Sequence, residues 1–280
     1  MVRGMQARSA SLRARTLLRR LTTEVAGVAV VLALVLTLNA CSVDPGGAPA
    51  DSSRTPTAGP TSTGPSASSP SSPDAGAPFN RTAHSVDDPN SIWVVVNKAR
   101  PFKPLDFTPP DLVVVGVPHV WEPQLRKPAA DAVVAMFAAF TAETGLKMQS
   151  QSAFRSYDTQ RGVYDQDVTA NGQAAADTDT ARPGTSEHQT GLAIDISALP
   201  AKCSLAACFG DTTQGSWLAA NAWRFGFLLR YPADKVPITG YTYEPWHFRF
   251  VGIDLATEMH ANGVSTLEEF FGLPAAPQYK

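Results

Sequence analysis

Residues 186–195 read Ser186-Glu187-His188-Gln189-Thr190-Gly191-Leu192-Ala193-Ile194-Asp195, and a second stretch, Glu244-Pro245-Trp246-His247, follows about fifty residues later. His188 and Asp195 are seven positions apart. On one continuous helix they would stand about 10 Å apart along the axis, and on one strand more than about 20 Å apart. Neither spacing lets the two side chains meet, so the chain must turn between them, and Gln189-Thr190-Gly191 is suitable turn chemistry. Beyond the turn, Leu192, Ile194 and Ile196 alternate with Ala193 and Asp195. That pattern predicts a strand whose apolar face anchors it while Asp195 is delivered to the other face. Glu244 precedes Pro245, which disfavours helix, so residues 244–247 enter a second strand extended.

Only five histidines occur: His84, His119, His188, His247 and His260. No His-Glu-x-x-His is present, which excludes a helix-borne zinc peptidase site. Two histidines and one carboxylate, with the fourth position left to water, is a catalytic rather than a structural zinc arrangement. A further carboxylate outside the ligand set can take the proton from that water. Singly, each residue is weak evidence, because a lone histidine is more often packed or on the surface and Asp195 suits a strand end. Their joint sequence context is specific.

The set Ser186-x-His188-x-x-Gly191-x-Ala193-x-Asp195, with Glu244-Pro245-Trp246-His247-Phe248-Arg249 downstream, closely resembles the VanY-type D-alanyl-D-alanine carboxypeptidases of the M15 metallopeptidases. The likeness extends through Phe154-Arg155-Ser156-Tyr157, residues 226–232 (GFLLRYP) and residues 238–241 (ITGY), and spans roughly residues 91–262. This resemblance implies one catalytic zinc bound by His188, Asp195 and His247, with Glu244 as general base. It implies that Arg155 sits over the scissile carbonyl, where its fork of donors suits an oxyanion; a structural ion pair is the alternative. Ser186 matches the family serine that contacts the substrate's terminal carboxylate. Gln160, one helical turn beyond Arg155, is a second candidate for that contact, and Trp246 is a candidate pocket wall. Arg182 and Arg249 receive no role.

The implied partner is a peptidoglycan stem peptide ending in D-Ala-D-Ala. A D,D-dipeptidase, an endopeptidase and a non-catalytic zinc-containing wall-binding module remain as alternatives. Glu244 and Arg155 speak against the last, since a binder needs neither. A two-lobed solute receptor is disfavoured by a folded part of only about 190 residues.

Around these motifs, mixed helices and short strands predict an α+β fold with a small antiparallel sheet flanked by helices. Strands are expected at residues 91–96, 112–115, 147–154, 192–196, 227–231 and 247–251. The clearest helix is 128–144, with Pro128 in its first turn, Gly145 as its C-terminal cap, and Val133, Val134, Phe137, Phe140 and Thr141 on one face. Further helices are expected at 157–168, 213–225, 252–262 and 266–271. Residues 98–110, with four prolines, predict an irregular strap, and 174–182 a loop.

The N-terminal part reads as delivery. Six arginines precede an apolar run, residues 25–38, which is the pattern of a secretory signal and short for a membrane span. Leu38-Asn39-Ala40-Cys41 resembles a bacterial lipobox, which would make residues 1–40 a lipoprotein signal and Cys41 the lipidated N-terminus; an uncleaved signal anchor is the alternative. Residues 41–85 are rich in Pro, Ser, Thr, Ala and Gly and predict a disordered tether, leaving 86–275 as the folded, extracytoplasmic domain on the outer face of the plasma membrane. Without the first forty residues, 17 basic residues face 24 acidic ones, a charge near −7 that argues against nucleic-acid binding. In an exported protein Cys203 and Cys208 read as a disulfide; a metal pair is disfavoured because the His/Asp set is already complete. A monomer is expected.

Overall fold

A computed structural model of the protein describes residues 78–280. The signal, Cys41 and most of the expected tether lie outside the described residues. Two strands, β1 (Leu112–Val114) and β2 (Gln124–Arg126), form a small antiparallel pair. The helix α1 (Lys127–Thr144) leads into β3 (Lys147–Ser152), followed by α2 (Tyr157–Asn171) and α3 (Gln173–Asp179). Then come β4 (Ala193–Leu199), α4 (Thr213–Asn221), β5 (Phe227–Leu229), α5 (Val236–Thr239), β6 (His247–Phe250), α6 (Ile253–Ala261) and α7 (Leu267–Phe271). The second sheet has the order β3-β4-β6-β5 with every pairing antiparallel. The α+β fold with a small antiparallel sheet is the one expected.

α1 begins with Pro128 in its first turn and ends at Gly145, whose φ of 71° gives a left-handed cap with its N–H donated to the Thr141 carbonyl. Its inner face is Ala129, Ala130, Val133, Met136, Phe137 and Phe140, all buried. Val134 and Thr141 are exposed, so the buried stripe lies one position round from the expected one. That face packs on Met148 of β3 and on Leu192, Ile194 and Ile196, with Phe248 and Phe250 of β6 in the same core. The apolar side of β4 is therefore fixed by the sandwich of α1 against the sheet.

Three local expectations are corrected. Residues 91–96, of which 93–96 are buried, form no strand: the Ser91 carbonyl and hydroxyl take the N–H groups of Val94 and Trp93, and the Ile92 and Val94 carbonyls accept from Arg249. A side-chain guanidinium thus does the work of a neighbouring strand. Residues 173–179 form α3 rather than a loop, in keeping with the high helix propensity of Ala174, Ala175 and Ala176, the last fully buried. The folded unit also begins before residue 86: Phe79 stacks on Trp93 at 5.7 Å, and Arg81 donates to the Phe270 carbonyl. It runs past 275 as well, where Tyr279 receives the Arg182 N–H at 2.8 Å. β2 was not expected. Among the described residues no helix is long and apolar enough to cross a membrane.

Candidate metal centre

A single turn of 3-10 helix, Glu187–Thr190, reverses the chain ahead of β4 and ends at Gly191, with φ 65°. The positive φ favours glycine there, and a β-carbon would in addition press on the Leu112 side chain, 2.7 Å from its Cδ2. This turn brings His188 back over Asp195. Asp195 in turn faces His247 directly across the β4–β6 pairing.

His188 Nδ1 donates to the Ala153 carbonyl at 2.6 Å, which leaves Nε2 pointing to Asp195 Oδ2 at 3.3 Å. His247 Nδ1 lies 3.1 Å from Asp195 Oδ1. Ser152 donates its hydroxyl to Asp195 Oδ2 at 2.6 Å. One ligand atom from each of His188, Asp195 and His247 lies within 4.8 Å of the others, and all three residues are buried. Two imidazole nitrogens and one carboxylate oxygen, with His188 and Asp195 each held by an outer partner, fit zinc.

Glu244 stands outside this set. The turn 244–247 closes with the His247 N–H on the Glu244 carbonyl, and Glu244 Oε2 lies 3.7 Å from His247 Nδ1. Burial pushes its carboxyl up to about 8, with Asp195 adding to the rise and His247 and Arg155 opposing it. Burial alone would also push Asp195 up, but His188 and His247 hold it well below the usual carboxylate range. His188 is lowered, mainly by burial and by the Arg155 charge. His247 is raised to about 9, the bonds to Asp195 and Glu187 outweighing burial.

These groups open on a cavity of about 650 Å³ that Arg155, Gln160, Ser186, Glu244 and Trp246 also line. Arg155 has no ion pair among the described residues and its buried Nε has no hydrogen-bond partner; the structural ion pair weighed as its alternative role does not form. Ser186 is buried at the cavity wall. Gln160 spends its amide nitrogen on the Ala181 carbonyl at 2.7 Å, and its buried Oε1 has no partner. The atom it leaves free is an acceptor, which suits an N–H of a ligand rather than a carboxylate. Cys203 and Cys208 are bonded to each other, and the loop they close puts Leu205, Ala206 and Ala207 on the cavity wall. His84, His119 and His260 lie elsewhere, against Trp93, the Val117 carbonyl and Trp223.

Sequence reasoning missed Glu187, Arg230 and Arg249, all fully buried beside His247. The signal available was a charged residue between apolar neighbours, Leu229-Arg230-Tyr231 and Phe248-Arg249-Phe250. Tyr231, another cavity residue, packs its ring 4.9 Å from that of His247.

The family model described as VanY, D-alanyl-D-alanine carboxypeptidase, matches residues 122–253. YodJ of Bacillus subtilis (strain 168) is 41% identical over 192 residues, covering 67% of this chain and 69% of its own. Among solved structures, the LdcB LD-carboxypeptidase is 41% identical with a TM-score of 0.60, covering 66% of this chain and 87% of its own. A mutant of the vancomycin resistance D,D-pentapeptidase VanY, from a VanB-type cassette and in complex with Zn(II), is 32% identical with a TM-score of 0.53, covering 63% and 97%.

Proposed function

The chain belongs to the VanY family of D-alanyl-D-alanine carboxypeptidases, and from that premise we propose that it is a zinc-dependent carboxypeptidase acting on peptidoglycan stem peptides that end in D-Ala-D-Ala. The observation that carries this reading is Glu244, buried beside the three-ligand cluster but not part of it, in a cavity shared with the unpaired guanidinium of Arg155. A metal-binding module has no use for either group.

Bound by His188, Asp195 and His247, zinc would supply a Lewis acid for the scissile carbonyl and lower the pKa of a water toward 7. Glu244 accepts the proton of the attacking water as its oxygen bonds to the carbonyl carbon. Arg155 donates to the oxyanion that develops, from a site where low solvent access strengthens the interaction. When the C–N bond breaks, Glu244 returns the proton to the leaving amine, and D-alanine departs. Ser186 holds the terminal carboxylate through its hydroxyl, and Trp246 walls the cavity. Gln160 is left to accept an N–H of the substrate.

A second reading, cleavage of an L,D bond, is favoured by one comparison: identity is higher to the LdcB LD-carboxypeptidase, 41%, than to the D,D-pentapeptidase VanY, 32%. Offering purified protein a muramyl pentapeptide and the corresponding tetrapeptide separates the two. D-alanine release from the pentapeptide alone supports the first reading, and release from the tetrapeptide alone replaces it with the second.

Such substrates lie outside the plasma membrane, so the proposal includes export by residues 1–40 and anchoring through a lipid on Cys41. The mass and membrane retention of a Cys41→Ala form test this; processing and retention identical to the parent would remove the lipid from the account.

A further inference from the structure

Glu187 sits between Ser186 and His188 and its side chain is wholly buried. Its two oxygens have separate partners. Oε1 accepts from Arg230 Nε at 2.8 Å and from Arg249 Nη1 at 2.9 Å. Oε2 lies 3.3 Å from His247 Nε2. Both arginines are otherwise committed. Arg230 makes a two-pronged contact with Glu268, at 3.0 and 2.7 Å, and Asn97 donates to the same carboxylate at 2.9 Å. Arg249 Nη2 donates to the carbonyls of Ile92 and Val94.

Because the arginines hold the carboxylate in place through Oε1, Oε2 has one direction left, toward the imidazole. A carboxylate only accepts, so the ring nitrogen facing it must carry the hydrogen. Nδ1 then keeps its lone pair, on the side where Asp195 and His188 converge. We propose that Glu187 sets the tautomer and ring orientation of His247, presenting Nδ1 to the metal, and that Arg230 Nε and Arg249 Nη1 hold the carboxylate that aims it. Glu187 is thus a positioning residue. It differs in kind from the partner of His188, a backbone carbonyl that no substitution removes. The proposal rests on the zinc reading above.

Glu187→Gln is the informative substitution. Its amide oxygen stays with the two arginines, so its NH2 group is forced to face His247 Nε2. That arrangement favours the opposite tautomer, with hydrogen on Nδ1 and no lone pair for the metal. Zinc affinity of the full chain, measured by competition with a chromophoric chelator, is expected to fall about 10–100-fold, the range found when an outer partner of a ligand histidine is lost. Glu268→Gln, which disturbs the same buried cluster without touching His247, is expected to keep affinity within about 3-fold of the parent, below the range for an outer partner of a ligand histidine. Equal losses in both variants, or no loss in Glu187→Gln, overturn the proposal. Long-range proton–nitrogen NMR of the zinc-loaded parent gives an answer that does not depend on a variant folding: the proposal requires hydrogen on His247 Nε2, and hydrogen on Nδ1 overturns it. Parent-like zinc affinity in His247→Ala would instead sink the metal assignment itself, a failure separable from that of Glu187.

Discussion

Asp195 faces His247 across the antiparallel pairing of β4 with β6, and its Oδ1 lies 3.1 Å from His247 Nδ1 while its Oδ2 lies 3.3 Å from His188 Nε2. One carboxylate thus spans both imidazoles. Asp195→Asn keeps the shape but replaces a charged ligand oxygen with a neutral amide. Zinc affinity, read by chelator competition, should fall further than the about 10–100-fold loss typical of outer-partner changes, with the Ser152 contact too weak to compensate.

Glu244 is outside the ligand set, so Glu244→Gln should retain zinc at parental stoichiometry. Its turnover should fall by about 10²–10⁴-fold, the usual contribution of a general base. Metal content by elemental analysis, set beside kcat, checks both halves. Loss of zinc in step with activity would reassign Glu244 as a ligand.

Arg155 has a different balance of stability and function. A buried guanidinium nitrogen without a partner costs about 1–3 kcal/mol of desolvation, and burial already lowers its pKa. Arg155→Met should therefore melt no lower than the parent while kcat drops about 10²–10³-fold, as when an oxyanion donor is removed. A fall in melting temperature at parental kcat would make it a structural residue.

The metal-free protein should lose stability as pH rises from about 4.5 to about 9, most steeply between 6.5 and 8 where the shifts of Glu244 and His247 overlap. Glu244 is raised from 4.5 to about 8, so the folded state holds that proton more tightly and stability declines as pH climbs through this interval. His247 acts in the same sense: raised from 6.5 to about 9, its contribution is complete below 6.5 and is lost as pH rises through 9. Asp195 and Glu187, both held low, contribute at neutral pH and lose their contributions only in acid. Zinc needs its ligands deprotonated, so the rise in melting temperature on adding zinc should be larger at pH 8 than at pH 6. Calorimetry across pH with and without zinc reads both trends.

The ligand set was legible through the family resemblance of its motifs, because His247 lies 52 positions beyond Asp195, whereas the turn between His188 and Asp195 was legible because its logic is local. Seven residues with a glycine between them force a turn, and alternation beyond Gly191 fixes which face Asp195 takes. α1 was legible for the same reason, through Pro128, Gly145 and an apolar period. What escaped depends on partners far along the chain. Glu187 finds Arg230 and Arg249 at separations of 43 and 62 residues, and between Ser186 and His188 it looks like any solvated acid. Residues 91–96 carry strand composition, yet their carbonyls are claimed by Arg249, 155 and 157 positions away. The polarity of Gln160 is likewise decided by a contact with Ala181, which no spacing announces.

Metal-dependent carboxypeptidase chemistry at His188, Asp195, His247 and Glu244 is the proposal on which the other expectations depend. Its most direct test is D-alanine release from a muramyl pentapeptide by the purified protein, before chelation, after it and after zinc is restored, with His188→Ala alongside. Release should be abolished by chelation, restored by zinc and missing from the variant. Release that survives removal of the metal, or equals the parent's in His188→Ala, would contradict the proposal.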